Sequence, residues 1–336
     1  MTRHPVRSAA FLVLLVLFFA KAAGAETVKL GLLKTTSAGP LYLAVDKGYF
    51  AAEGLDARLV TFDAAQPVAV AVVSGDVDFG VTGLTAGFYN LAGQGALKII
   101  GAQGREAPGF HSLAFLESNR AYEAGLTSLD GLGGHTVALT QTGTPAHYAL
   151  GQVALKHGVA LGSIHILTLQ SVPNIVSALT GGQTDLGGTI VTVPMMGAIE
   201  RGDLRILAWV SDEIAFQDRA IFVSTHTADE NRGLIERFFR AFRKGAQAYH
   251  DALIGPDEKP RDGPGAADAI AIIAKYTGQA PETVKLGIAY SDPSLRVDVA
   301  DVLRQIAWYK SQGMVKPDVD GNTIIDSRYV VPLPSP

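Results

Sequence analysis

The segment GDVDFGVTGLT at residues 75–85 recurs as GQTDLGGTIVT at residues 182–192, at an offset of 107 residues. In each copy an aspartate precedes a short apolar run that contains glycine, which is typical of a buried parallel strand. A threonine then leads toward the next helix-like stretch. The alternative to a true internal repeat is that any two β-α-β-α-β units share Gly and Asp at their turns. On that alternative, too, the chain contains two similar α/β lobes.

The alternation of strand and helix patterns extends outward from both copies, from Thr27 to Val210. Apolar runs bounded by Gly and Pro predict two sets of four strands, at Val28–Leu33, Leu55–Phe62, Asp78–Val81 and Leu97–Ala102, and at His135–Thr140, Ile164–Leu169, Asp185–Gly188 and Leu204–Trp209. Helical stretches separate the strands within each set. This order predicts parallel sheets with crossover helices.

Two extended segments outside the repeat, His111–Glu117 and Ala220–Ser224, indicate that the chain crosses twice between the lobes. The predicted fold class is therefore α/β, with two doubly wound lobes joined by a two-crossing hinge. Lobe 1 is expected to comprise residues 26–111 and 215–336, and lobe 2 residues 112–214. The amphipathic stretches Asn231–Tyr249 and Ala266–Tyr276 are predicted to be helices that pack on lobe 1. Such a hinge forms a cleft that can close on a ligand.

The N-terminus has the pattern of an export signal. Arg3 and Arg7 precede an apolar run at residues 9–20, and the small-residue sequence AGA at residues 23–25 follows. The run is shorter than the roughly 20 residues that span a bilayer. We expect residues 1–25 to be a signal peptide and the mature protein to be soluble and periplasmic from Glu26; an uncleaved N-terminal anchor is the alternative.

Composition excludes several classes of function. None of the 336 residues is cysteine, so the chain has no disulfide, thiol nucleophile, thiolate metal site or lipidated cysteine. The formal net charge is −4, and loss of the signal peptide makes it more negative, which argues against nucleic-acid binding. With 48% hydrophobic residues, the chain can bury a sizeable core. We predict a monomer without cofactor or metal.

Further motifs occur at predicted helix ends and near the C-terminus. They are AVDKGYF at 44–50, EGLD at 53–56, SGDVDFG at 74–80, LDGL at 129–132, WYKSQG at 308–313 and IDSRY at 325–329. Together they resemble the nitrate/sulfonate/taurine type of ABC-transporter substrate-binding proteins, with the type II periplasmic binding protein fold. One departure is His135, where that family usually has a basic residue.

The resemblance implies a role and several ligand classes. It implies a small-molecule solute, held between the lobes and delivered to an ABC permease and its ATPase. Members bind sulfonates, taurine, nitrate, pyrimidine precursors of thiamin or aromatic carboxylates. A sensor subunit that presents its ligand to a receptor is an alternative role for the same fold.

The candidate site follows from the predicted sheets, because ligands bind beyond the carboxyl ends of parallel strands, where loops enter helix N-termini. Exposed N–H groups at those termini favour anions, so we expect an anionic solute. Glycines in these loops let the backbone approach a ligand. The predicted ligand-binding residues are Lys34, Thr35, Thr36, Ser37, Tyr42, Thr82, Gly83, Thr85, Thr142, Gly143, Thr144, His147, Thr189, Thr192 and Trp209. The alternative is that the Ser and Thr residues cap helices.

Catalytic motifs are missing from the sequence. It contains no Gly-x-Ser-x-Gly elbow, no P-loop and no Gly-x-Gly-x-x-Gly after a predicted strand. A distant relative of the fold makes a thiamin pyrimidine with a cysteine-rich segment, which a chain without cysteine cannot carry. We therefore predict a binding protein rather than an enzyme.

Overall fold

Two five-stranded sheets organise the protein in a computed structural model that describes residues 24–190 and 192–334. Nearly all of the predicted signal peptide lies outside these residues. The strands are β1 (Glu26–Leu33), β2 (Leu55–Phe62), β3 (Phe79–Gly83), β4 (Leu97–Glu106), β5 (Leu113–Ser118), β6 (Thr136–Leu139), β7 (His165–Thr168), β8 (Leu186–Ile190), β9 (Leu204–Trp209) and β10 (Phe216–Ser224).

Helices connect and cover these strands. They are α1 (Gly39–Asp46), α2 (Tyr49–Ala52), α3 (Ala65–Ser74), α4 (Ala86–Gly93), α5 (Asn119–Glu123), α6 (Pro145–Lys156), α7 (Val172–Thr180), α8 (Val193–Glu200), α9 (Val210–Glu213), α10 (Thr225–Glu230), α11 (Arg232–Leu253), α12 (Ala266–Thr277), α13 (Pro281–Leu286), α14 (Val299–Ser311) and α15 (Gly321–Ile324). Among the residues that the structure describes, no helix has both the length and the apolar character needed to cross a membrane.

The two sheets have the same topology. Their strand orders are β2-β1-β3-β10-β4 and β7-β6-β8-β5-β9. In each, three parallel strands are followed by one antiparallel strand, β10 in the first sheet and β5 in the second. The chain enters β5 after the first crossing between sheets and β10 after the second. The predicted fold class is therefore confirmed. The lobe boundaries given above stay a prediction.

The repeated aspartates have a structural role. The Asp78 carboxylate accepts a hydrogen bond from the Lys29 N–H of β1 at 2.7 Å. Asp185 accepts one from the Thr136 N–H of β6 at 3.0 Å. Lys29 and Thr136 are also 107 residues apart, the offset of the repeat. In both lobes the aspartate therefore ties the start of the third strand to the first strand, which explains why it recurs.

The long helix α11 builds the outer core of the first lobe. Its apolar face buries Phe238, which stacks on Phe79 of β3 with ring centroids 4.1 Å apart. The opposite face is charged, with Arg240 paired to Glu53 at 2.8 Å. The two amphipathic helices predicted from the sequence thus correspond to α11 and α12, and both contact α1 beside the first sheet.

Helix α14, near the C-terminus, contacts both lobes. Its Tyr309 hydroxyl donates to the Thr144 carbonyl at the start of α6, at 2.9 Å. The neighbouring Trp308 ring packs edge-on against Tyr148 of α6 at 5.4 Å. Gly151 makes room for this indole, because a Cβ at that position would lie 2.3 Å from it. Helix α14 therefore joins the second lobe to the first, outside the two crossings.

Candidate ligand-binding site

A cavity of about 100 Å³ lies between the two sheets, at the carboxyl ends of β3 and β8. Its volume is several times the 10–15 Å³ or so that one water molecule needs, so it has room for a small organic molecule. The polar lining residues come from both lobes: Thr35, Ser37, Asp63, Thr82, Gln103, Thr140, Thr144, Thr189, Asp218 and Arg219. The apolar walls include Leu33, Val81, Leu113, Pro145, Val172 and Ile190.

Thr82 and Thr189 face this cavity from equivalent places. Thr82 of β3 pairs with Ala220 of the antiparallel strand β10, and Thr189 of β8 pairs with Ala114 of β5. Both threonines are buried, and both line the cavity. The repeat thus places one hydroxyl from each lobe at the same site.

A charged wall that the sequence analysis missed completes the cavity. Asp218 and Arg219 are consecutive residues of β10, yet both line it. The pairing of β10 with β4 shifts register on both sides of Arg219, and such bulges re-aim side chains near binding sites. The extended segment predicted from the sequence starts at Ala220, whereas β10 begins at Phe216. The signal for this wall in the sequence was the acid–base pair Asp218–Arg219, directly before a strongly apolar run.

The guanidinium of Arg219 is engaged by protein groups. It donates to the Asp218 carboxylate, to the Ser112 hydroxyl at 3.0 Å and to the Tyr290 carbonyl at 3.4 Å. It also lies 3.8 Å from the Glu106 carboxylate, which accepts a hydrogen bond from Ser112. One cation thus lies between two buried acids.

Burial dominates the ionisation of these two acids. It raises the pKa of Asp218 to about 6, although Arg219 opposes the shift. Burial, together with repulsion from Asp218, raises the pKa of Glu106 well above its usual range. Arg219 thus lies beside two acids whose pKa values are raised by burial, and its guanidinium is held within the wall by hydrogen bonds to Asp218 and Ser112.

Six of the predicted ligand-binding residues line the cavity: Thr35, Ser37, Thr82, Gly83, Thr144 and Thr189. Thr85, Thr142 and Gly143 lie in an adjoining open groove between the lobes. Part of the hydroxyl set caps helices, as the alternative interpretation proposed. Thr85 accepts from the Phe88 N–H at 2.9 Å, and Thr144 accepts from the His147 N–H at 3.4 Å.

The other six predicted residues lie away from the cavity lining. Lys34 is exposed, Thr36 is buried in a single helical turn, and Thr192 precedes α8 without capping it. Three predicted ring residues pack against protein neighbours instead: Tyr42 stacks on Tyr276 at 4.9 Å, Trp209 on His111 at 4.3 Å, and His147 packs edge-on against Trp308 at 5.3 Å.

Direct backbone contacts hold the lobes together beside the cavity. The Ala86 N–H of α4 donates to the Gly143 carbonyl at 2.8 Å. Gly143 has φ +74°, and a Cβ there would lie 2.8 Å from the Ala86 Cβ. Glycine at position 143 therefore permits both the left-handed backbone and the close approach of the two lobes.

We expect Gly143→Ala to weaken ligand binding about tenfold, because the added methyl group holds the lobes apart. Gly158→Ala is the matched control, since Gly158 has φ +69° in the same lobe with no atom near its Cβ position. Both variants should lose about 1–2 kcal/mol of folding stability from the left-handed backbone. Calorimetric titration of both variants with a solute that binds the wild type checks this. Equal affinities would show that contact at Gly143 does not govern closure.

Comparisons with known proteins agree with this fold. The sequence profile of the family described as "NMT1/THI5 like" matches residues 35–258. No curated protein matches the sequence. Among solved structures, the alkanesulfonate-binding protein of Xanthomonas axonopodis pv. citri bound to MOPS is 19% identical with a TM-score of 0.71, covering 91% of this chain and 99% of its own.

Two further solved structures are similar. The periplasmic aliphatic sulphonate binding protein of Escherichia coli is 19% identical with a TM-score of 0.70, covering 90% of this chain and 98% of its own. The periplasmic nitrate-binding protein of Synechocystis PCC 6803 is 13% identical with a TM-score of 0.68, covering 91% and 87%. The likeness extends over nearly the whole described chain, so the two-lobe fold is shared.

Proposed function

Because the chain belongs to the NMT1/THI5-like family, we propose that it is the periplasmic solute-binding component of an ABC importer. It captures a small organic solute between its lobes and delivers it to a permease and its ATPase. The solved proteins of the same fold include periplasmic proteins that bind sulfonates and nitrate. The fold they share supports binding of a small solute.

The observation that carries this proposal is the cavity closed by both lobes. Thr82 and Thr189, related by the internal repeat, line it from opposite sheets. A site divided in this way couples ligand binding to lobe closure, because each lobe supplies only part of the contacts. A permease can then distinguish a loaded protein, whose lobes are closed, from an empty one.

The sequence-based expectation for the ligand was an anion, such as a sulfonate, taurine, nitrate or an aromatic carboxylate. The solved alkanesulfonate-binding and nitrate-binding proteins of the same fold support the first and third of these classes. Hydroxyls such as those of Thr35 and Ser37 hydrogen-bond anions and cations alike, so they leave the sign of the ligand's charge open. Pyrimidine precursors are the neutral alternative.

A thermal-shift screen tests the proposal directly. Sulfonates, nitrate, carboxylates, pyrimidines, amines and amidines are each added to the purified mature protein. Binding to the native state raises its stability by RT ln(1 + [L]/Kd), so a solute at 100 times its Kd contributes about 2.7 kcal/mol. At least one small solute should raise the melting temperature in proportion to the logarithm of its concentration. The absence of any hit would contradict the proposed function.

We expect Thr82→Val and Thr189→Val each to weaken binding of the solute found in that screen by roughly tenfold, with little effect on folding. A hydrogen bond to a charged ligand group contributes about 1.5–3 kcal/mol, and valine keeps the shape of threonine without its hydroxyl. Thr85→Val is the matched control, since Thr85 caps α4 outside the cavity. Calorimetric titration gives the affinities and thermal melts give the stabilities. Unchanged affinity in both variants would place the binding site elsewhere.

A further inference from the structure

Two consecutive residues of α14 hold the start of α6, next to the cavity. The Tyr309 side chain is fully buried, and its hydroxyl donates to the Thr144 carbonyl at 2.9 Å. Thr144 lines the cavity and caps α6. The Trp308 indole lies edge-on to His147 and Tyr148, both in α6. Tyr309 and Trp308 themselves lie outside the cavity lining, so they affect a bound solute only through α6.

The other side of α14 is fixed to the first lobe by hydrogen bonds between buried groups. The Gln305 amide accepts from the Tyr89 hydroxyl of α4 at 3.0 Å and donates to the Gln217 carbonyl of β10 at 2.6 Å. The Asp301 carboxylate accepts from the Gln217 N–H at 2.7 Å. All four side chains are at most 2% exposed. Helix α14 therefore moves with the first lobe, and its contacts with α6 are contacts between the lobes.

A second contact between the lobes adjoins the one made by Tyr309. The Gly143 carbonyl, one residue before Thr144, accepts from the Ala86 N–H of α4. Two successive carbonyls of the second lobe are thus held by α4 and by α14. Rotation of the lobes about their two crossings separates both helices from this backbone and breaks both hydrogen bonds. These bonds therefore stabilise the closed arrangement and not the open one.

We propose that Tyr309 is a positioning residue for the solute site, which holds Thr144 at the cavity and keeps part of the solute-free protein closed. A solute that binds only the closed arrangement has an apparent dissociation constant equal to its intrinsic value divided by the closed fraction. Tyr309 therefore strengthens the binding of solutes of every chemical class by the same factor. The inference rests on the proposed function for this consequence alone, because closure is measured without a solute.

Distances between spin labels measure closure directly, and the chain suits them because its 336 residues include no cysteine. Val73→Cys at the end of α3 and Thr180→Cys at the end of α7 place one label on each lobe, at exposed positions related by the internal repeat. Double electron–electron resonance on the purified mature protein without solute gives the fractions with short and long distances. We expect a closed population with the short distance in this labelled parent protein.

Tyr309→Phe is expected to lower the ratio of closed to open protein about fivefold, because a buried hydrogen bond is lost from the closed arrangement alone. Tyr89→Phe is the matched control, since it removes an equally buried hydroxyl whose hydrogen bond lies within the first lobe. This control should lower the melting temperature and leave the distances unchanged.

Gly151→Ala tests the same contact from the second lobe. Alanine is a better helix former than glycine, so the substitution favours α6 itself. A Cβ at this position would lie 2.3 Å from the Trp308 ring, however, and would force α6 away from α14. The ratio of closed to open protein should therefore fall by about threefold or more, because overpacked neighbours separate. Circular dichroism checks that the helical content is kept.

Three results would overturn the proposal. They are a labelled parent protein with the long distance alone, equal closed fractions in the parent and in both α14-contact variants, and a loss of closure in Tyr89→Phe as large as in Tyr309→Phe. The last result would mean that closure follows general stability. None of them bears on whether a solute binds, because the proposed function fails only if the thermal-shift screen finds no solute.

Discussion

Gly245→Ala is expected to lower the free energy of unfolding by about 3 kcal/mol, although it adds a single methyl group. Gly245 lies in α11 where this helix crosses α1. A Cβ there would lie 2.4 Å from the Pro40 carbonyl oxygen and 2.6 Å from the Ala44 Cβ. Because these neighbours are backbone and a Cβ atom, they cannot rotate away. The two helices would have to separate, which weakens packing across the first lobe.

Gly233→Ala is the matched control in the same helix. Gly233 is exposed near the start of α11, with no atom within contact distance of its Cβ position. Alanine has the higher helix propensity, so this variant should be stabilised by up to about 1 kcal/mol. Chemical denaturation of both variants measures the difference. Similar effects in the two would show that α1 and α11 do not approach closely at Gly245.

Protonation of His147 is expected to lower the free energy of unfolding by up to about 3 kcal/mol between pH 7 and pH 4. Its Nδ1 accepts a hydrogen bond from the Gly143 N–H at 3.0 Å, so the ring is held neutral. Burial lowers the pKa of His147 to about 4, against an ordinary value near 6.5. The folded state therefore binds fewer protons than the unfolded chain in this interval. The stabilisation is complete above pH 6.5 and is lost as the pH falls toward 4.

His147→Asn separates this contribution from that of the carboxylates. The asparagine Oδ1 occupies the place of Nδ1 and still accepts from Gly143, but it does not titrate. The variant should lose packing against Trp308 at every pH, while its stability falls less steeply below pH 6.5. His165→Asn, at an exposed position on β7, is the matched control. Urea denaturation at half-unit pH intervals gives the slopes, and parallel curves for wild type and His147→Asn would contradict the assignment.

The candidate site shows where sequence reasoning was sufficient and where it was not. Thr82 and Thr189 were predicted because each follows a recurrent Gly-containing strand. The carboxyl ends of parallel strands lie at the edge of the sheet where ligands bind. Tyr42 and His147 were predicted to join them from their positions in the first turns of α1 and α6, but both rings pack against aromatic neighbours. Whether a side chain in a first turn points to the cleft or to a neighbouring helix depends on packing partners distant in sequence. For these two residues the partners are Tyr276 and Trp308.

The sequence alone determined the two similar α/β lobes and the double crossing, because strand and helix periodicity and the repeat are local patterns that persist along the chain. The tertiary structure decided which polar groups meet at the cavity. Asp218 and Arg219 reach it through a register shift between β10 and β4, two strands more than 100 residues apart. Their pairing with Glu106 depends on distances that only the assembled sheet sets.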